Sequence, residues 1–350
     1  MKPSKDNVKL VKEFGASSIA SVKGLPKFQT FESGLIYSHR DFDKFMKAIK
    51  AKKKCAILSG ANASGALHIG HLGVFLTNLH FQKKYNCDVY IPISDDESYV
   101  FDKVKDQKEG LKNSYEIAKQ ILALGFNPKK TFFIIDQLAT GIYNLAIKYS
   151  KRITASTAKA VCGHTDEDNI GIMFYLAVQA AHINLPLELG YDSVLVPIGP
   201  DEDARLRIAR DVAAKYGFSK PSTVHSVFMP GLDGEKMSSS KPNTSVFLND
   251  SLKAVKKKIN RAVSGGQKGV EEHRKLGGNP DIDIAYTYLD ALFLGRKESV
   301  KIAKDYRAGK LLSGEMKGKL FDKVSALLIA MQRRYSKLTN KDVDKCLVKL

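Results

Sequence analysis

The chain has few cysteines and no cysteine spacing that would organise a site. Cys55, Cys87, Cys162 and Cys346 are the only four in 350 residues, and none forms a C-x-x-C pair. A zinc ribbon and a disulfide framework are therefore both excluded, and reduced thiols packed in a core are expected. There is also no run of about 18 apolar residues, which argues against a membrane span, and no internal repeat or low-complexity tract. The N-terminal stretch MKPSKDNVKL lacks the apolar centre of a secretory signal. These absences leave a cytoplasmic globular protein with no membrane partner as the expectation, and 43% hydrophobic residues supply ample core for two domains.

Charge is abundant and unevenly placed. The net charge is +19, but residues 1–54 hold 13 Lys/Arg against 5 Asp/Glu, residues 55–250 hold 20 against 21, and residues 251–350 hold 23 against 11. A neutral middle between basic ends suits a small-molecule site flanked by polyanion-binding segments. Lys256, Lys257, Lys258 and Arg261 form a basic cluster and are candidate phosphate contacts.

The neutral middle alternates strand and helix patterns. Buried-strand runs fall at 55–60, 88–93, 131–136, 193–198 and 222–227, with helical stretches between them. This is the pattern of a doubly wound α/β domain with a parallel sheet, in which ligands bind at the carboxyl ends of the strands. A helical insertion is expected at about 140–190, including Ile170 to Asn184. Beyond Asp250 only helices are predicted, at 253–263, 284–294, 297–306 and 314–335.

Two motifs carry the chemistry. His68-Ile69-Gly70-His71 follows a strand and a small-residue turn (61–67) and opens a helix over 69–85, with Leu72, Phe75, Leu76 and Leu79 on its apolar face. Both imidazoles thus fall at a helix N-terminus, where backbone N–H groups and the helix dipole favour phosphate, and Gly70 leaves room for a nucleotide. Far downstream, Lys236-Met237-Ser238-Ser239-Ser240-Lys241 lies between Gly234 and Pro242, ahead of a strand-like Ser245 to Leu248. Three hydroxyls and two ammonium groups on a loop that can close suit a departing pyrophosphate. Together the motifs point to attack of a carboxylate on the α-phosphorus of ATP, a reaction catalysed by positioning and by stabilising charge on phosphoryl oxygens.

Around those motifs the chain resembles the tryptophanyl-tRNA synthetases of the archaeal and eukaryotic type, from about Gly34 to the C-terminus. The resemblance runs through SHRDFDKF (38–45), GALHIGHL (65–72), ISDDESYV (93–100), VQAA (178–181), VPIGPDEDARLRIARDVA (196–213), 220–250 and 264–289. It implies a Rossmann-type catalytic domain over 55–250, entered from the basic segment 1–54, and an α-helical anticodon-binding domain over 251–350. It also implies a homodimer using ATP and Mg²⁺ to activate L-tryptophan and load tRNA(Trp), with no other metal and no protein nucleophile.

By the same resemblance His68, Gly70 and His71 sit on the nucleotide, with Ser59, Gly60, Gly199 and Asp201 beside it. Lys236 to Lys241, that is Lys236, Met237, Ser238, Ser239, Ser240 and Lys241, sit on its phosphates. Leu58, Pro92, Glu97, Gln179 and the Asp201-Glu202-Asp203 turn line the amino-acid pocket. Several positions depart from the family: Leu58 for a Tyr, Pro92 for a Gln, Glu202 for a Gln, and Ala61 with Ala63-Ser64 for an Arg and a Pro-Ser pair. Two alternatives therefore stand beside tryptophan: a paralogue activating tyrosine or another amino acid, and an RNA-binding protein of this fold that has lost activation. Asp201 and Glu202 also precede a helix, where capping alone would account for them.

Overall fold

The computed structural model describes residues 10–235, 237 and 242–350. Its sheet is built from β1 (Ser17–Ser18), β2 (Ile36–Arg40), β3 (Cys55–Leu58), β4 (Ala61–Asn62), β5 (Asp88–Ser94), β6 (Thr131–Ile135), β7 (Ser193–Ile198) and β8 (Ser222–Ser226). The order across the sheet is β1-β2-β8-β7-β3-β5, and β5 also pairs with β4 and β6. From β8 to β6 every pairing is parallel, while β1 and β2 run antiparallel at one edge. The parallel strands are buried on both faces, which is why they read as unbroken apolar runs.

Fourteen helices of five residues or more lie among the described residues, and those that frame the sheet are α1 (Phe42–Lys50), α2 (Leu72–Tyr85), α3 (Asp95–Val100), α4 (Gln107–Ala123), α5 (Ile142–Ser150), α6 (Ala155–Cys162), α7 (Ile170–Glu188) and α8 (Asp203–Lys215). Three of these, α5 to α7, fall between β6 and β7. Helix α7 is long and apolar enough to cross a bilayer by composition, yet Tyr175 to Leu187 is almost continuously buried. It is the core helix on one face of the sheet. The C-terminal helices are α9 (Leu252–Asn260), α10 (Val270–Leu276), α11 (Ile284–Tyr288, continuing as a π-turn to Phe293), α12 (Arg296–Arg307), α13 (Ser313–Tyr335) and α14 (Asn340–Asp344).

Three details differ from the sequence reading. The basic leading segment contributes to the sheet: Ile36, Tyr37, Ser38 and His39 are buried in β2, whose Ser38 and His39 stand opposite His225 and Val224. The C-terminus returns to the other edge, where Phe133 N–H donates to Cys346 O (2.8 Å) and Val348 N–H to Phe133 O (2.9 Å). The stretch Ser245 to Leu248 is no strand; it makes one antiparallel bridge, Phe247 opposite His68.

Pro92 is unexpected in an interior strand, because proline offers no N–H to a ladder. It is tolerated at a gap: β3 pairs with β5 as far as Leu58 opposite Tyr90, and β4 resumes only at Ala61 opposite Ile93. Gly60 lies in that gap, where a Cβ would stand 3.3 Å from Pro92 O.

Candidate functional site

The parallel strands release their chains at one end of the sheet, and every described candidate residue lies there. Leu58, Ser59, Gly60, His68, Gly70, His71, Pro92, Glu97, Gln179, Gly199, Asp201, Glu202 and Met237 line a single cavity of about 410 Å³. Lys236, Ser238, Ser239, Ser240 and Lys241 lie outside the described residues.

His68 precedes a 3₁₀ turn (Ile69–His71) that leads into α2. Its backbone N–H donates to His71 Nδ1 (3.1 Å), and the two rings lie tilted by 30° with centroids 3.9 Å apart. Because His71 Nδ1 accepts, its proton must sit on Nε2, leaving an N–H donor. Burial, then the neighbouring His71, lowers His68 to a pKa of about 3; burial lowers His71 to about 4. Both rings are therefore neutral at pH 7 and act as hydrogen-bonding groups. Buried His68 Nδ1 has no partner among the described residues.

The chain that follows the second motif is tied to the first. Ile69 N–H donates to Val246 O (2.8 Å) and Leu248 N–H to Leu67 O (2.8 Å), so the chain just after Pro242 is pinned to the turn carrying His68. Gly70 is closely enclosed: a Cβ there would lie 2.9 Å from both His68 Nδ1 and Met237 Sδ. Both obstacles are side-chain ends, so Gly70→Ala is expected to fold but to displace them, slowing ATP-dependent activation roughly 10- to 100-fold. An unchanged rate of pyrophosphate exchange would remove Gly70 from the site.

At the other end of the cavity are charges. Gln179 donates Nε2–H to Glu202 Oε2 (2.8 Å), and its buried Oε1 has no partner among the described residues. Glu97 is buried, and Arg205 lies between the two carboxylates, with Nη1 3.5 Å from Glu97 Oε1 and 3.8 Å from Glu202 Oε1. Burial raises Glu202 above the ordinary carboxylate range, while Arg205 and the Gln179 hydrogen bond pull it back. Neither the turn Pro200–Glu202 nor α8 has a side-chain cap hydrogen bond, so capping does not account for Asp201 and Glu202. Asp203, by contrast, does not line the cavity; it is turned into a buried network with Arg40 and His225. Ser59 lines the cavity, yet its hydroxyl already donates to Pro197 O (2.9 Å), which ties β3 to β7.

Arg205, Tyr175 and His182 also line the cavity and were not among the sequence candidates. A signal for them existed: Arg205 is three residues after Glu202, and Tyr175 and His182 lie four before and three after Gln179, so each shares a helix face with a candidate. Among the proposed phosphate contacts of the C-terminal helices, Lys258 is already engaged. Its Nζ donates to Asp250 Oδ2 (2.6 Å) and Ser245 O (2.9 Å), whereas Lys256, Lys257 and Arg261 are exposed.

The sequence model of the family described as tRNA synthetases class I (W and Y) matches residues 50–329. The tryptophan–tRNA ligase of Pyrobaculum aerophilum is 37% identical, the match covering 96% of this chain and 92% of that one. The cytoplasmic tryptophan–tRNA ligase of Saccharomyces cerevisiae is 36% identical over 98% of this chain and 84% of that one. The crystal structure of tryptophanyl-tRNA synthetase from Aeropyrum pernix K1 superposes with a TM-score of 0.88 at 30% identity, covering 99% of this chain and 97% of that one. With the cavity at the strand ends and the His68–His71 turn lining it, these likenesses show that the chain belongs to the class I tRNA synthetases, among the tryptophan–tRNA ligases.

Proposed function

We propose that this chain activates L-tryptophan with ATP to tryptophanyl-adenylate and transfers it to tRNA(Trp). The observation that carries the reading is the single cavity holding the His68–His71 turn at one end and Glu97, Gln179 and Glu202 at the other. A primary ammonium suits the second end: two carboxylates and the free Gln179 Oε1 accept its three hydrogens, displacing Arg205 from between Glu97 and Glu202. The substrate carboxylate then faces the α-phosphorus of an ATP laid along Gly60, Gly70 and Gly199. His71 Nε2–H and the N-terminus of α2 stabilise phosphoryl oxygens as pyrophosphate departs. Mg²⁺ enters with ATP, bound through its phosphate oxygens, and Lys236, Ser238 and Ser240 complete the phosphate contacts. The experiment is amino-acid-dependent exchange of pyrophosphate into ATP, run across all twenty amino acids. Tryptophan is expected to support the fastest exchange, and faster exchange with tyrosine would transfer the reading to tyrosine.

The same reading makes the helices from α9 onward an anticodon-binding domain, the protein cytoplasmic without a membrane partner, and the enzyme a homodimer. Reversing the charges of exposed Lys256, Lys257 and Arg261 is expected to weaken tRNA binding roughly 10-fold or more and to flatten its salt dependence, with tryptophan activation unchanged. Filter binding at two salt concentrations checks this; equal affinities would rule α9 out as a tRNA contact. Lys258 is left intact because reversing it would set two carboxylates against each other beside Asp250.

A further inference from the structure

The wall of the cavity formed by β3 and β5 is short of hydrogen-bonding groups. Leu58 and Pro92 both line it, and neither offers a polar side-chain atom. The sheet register places one polar pair next to this wall. Pro92 stands opposite Ile134 of β6, and Asp136, two residues further on, projects from the same face. Above that face, His182 of α7 donates Nε2–H to Asp136 Oδ1 (2.6 Å). His182 is 1% exposed and Asp136 fully buried, yet His182 is one of the residues that line the cavity.

The proton arrangement follows from the partners. Asp95, Asp96 and Asp136 have carboxylate oxygens within 4.8 Å of one another, and Asp136 Oδ2 has no hydrogen-bond partner among the described residues. Burial raises the Asp96 and Asp136 carboxyls above the ordinary range, Asp96 further through the charge of Asp136. His182, lowered to about 4 by burial, stays neutral, and with Nε2 protonated its Nδ1 is a bare acceptor. The nearby Tyr175 hydroxyl hydrogen is committed to Ser94 Oγ (2.9 Å).

We infer that His182 is the specificity-determining residue for the side chain of the amino acid, its Nδ1 accepting the ring N–H of an indole while Asp136 holds its orientation. This rests on the tryptophan reading above. It replaces by one acceptor on α7 what the strand positions Leu58 and Pro92 do not supply. Nothing covalent is involved; the device is a hydrogen bond that only a substrate with a ring donor can complete.

The test compares tryptophan with β-(benzothiophen-3-yl)alanine, in which sulfur replaces the ring N–H, by pyrophosphate exchange. The protein contains no tryptophan of its own, so the fluorescence of bound tryptophan gives its affinity directly. Wild type is expected to prefer tryptophan by roughly 5- to 150-fold, the range set by leaving one buried acceptor unpaired. In His182→Leu that preference should collapse toward one, with the KM for ATP unchanged, and His182→Gln, which can donate to Asp136 and accept from the substrate, should restore part of it. A purely structural role would slow both substrates equally and keep the ratio, which would overturn the inference. If the Leu variant does not fold, His182→Met fills the same space without a ring nitrogen and carries the same expectation. A wild type that fails to exchange with tryptophan overturns the tryptophan reading itself, and is seen before any variant is made.

Discussion

Replacing His71 with Ala is expected to slow tryptophan-dependent pyrophosphate exchange about 100-fold or more, with a smaller change in ATP affinity. The asymmetry follows from where the proton sits. His71 Nδ1 is occupied by the His68 backbone N–H (3.1 Å), so the donor that His71, a cavity-lining residue, has left is Nε2–H. A fixed donor next to oxygens that gain charge only as pyrophosphate leaves stabilises the transition state more than bound ATP, and losing one typically costs 10²–10³ in kcat. Burial holds His71 at about 4 and His68 at about 3, so neither ring should titrate between pH 5 and 8 in the ATP-free protein. Imidazole proton shifts followed by NMR check that sign. Bound polyphosphate would raise both values, because opposite charge favours the protonated ring. A folded His71→Ala protein exchanging at the normal rate would remove the donor role.

Much of this site was legible before any coordinates, for a physical reason. A parallel sheet buries both faces of its strands, so β3, β5, β6, β7 and β8 announce themselves as apolar runs, and ligands collect where those runs end. Leu58, Pro92 and Gly199 were therefore placed by strand periodicity together with resemblance. Strand β2 was not, because its sequence Ile36-Tyr37-Ser38-His39-Arg40 is half polar and sits in a segment whose lysines dominate the count. Its polar side chains are buried against polar partners: Ser38 with His225 Nδ1 (2.9 Å), Arg40 with Asp203. Neither hydropathy nor charge reports such pairings across more than 160 positions of chain.

The same limit hid Arg205 and His182. Each becomes a cavity residue only when its helix is laid over strands from elsewhere in the chain, although helical spacing from Glu202 and Gln179 offered a weak hint. Lys258 shows the converse. Its charge looked available in the sequence, and only the fold reveals that Asp250 has already taken it.

Asp203→Ala is expected to be the most destabilising single change near the site. The carboxylate is 1% exposed and receives Arg40 Nε (2.7 Å) and Nη2 (2.8 Å) in a two-pronged pair, together with His225 Nε2 (3.0 Å). Burial alone would push this carboxyl up; hydrogen bonds from His225 and Arg40, with their charges, more than reverse that and hold it well below the ordinary carboxylate range. Removing it leaves the Arg40 guanidinium, itself largely buried, without its counter-charge, a loss of about 3–5 kcal/mol, against a total of roughly 5–15 kcal/mol for an ordinary domain. Thermal unfolding at pH 7 should fall by several degrees, on the order of 5–10 °C. The sign of the pH dependence follows from the depressed value. This contribution is fully present above the unfolded-state pKa of about 3.9 and is lost as pH falls through the folded-state value, so the gap between variant and wild type should narrow below about pH 4. Because Asp203 anchors the first turn of α8, its loss should also loosen Glu202 and Arg205 and raise the KM for tryptophan more than that for ATP. A variant melting within about 1 °C of wild type at pH 7, well under the shift that a buried pair of this strength implies, would show that the network is not what holds β2 and α8 to the sheet.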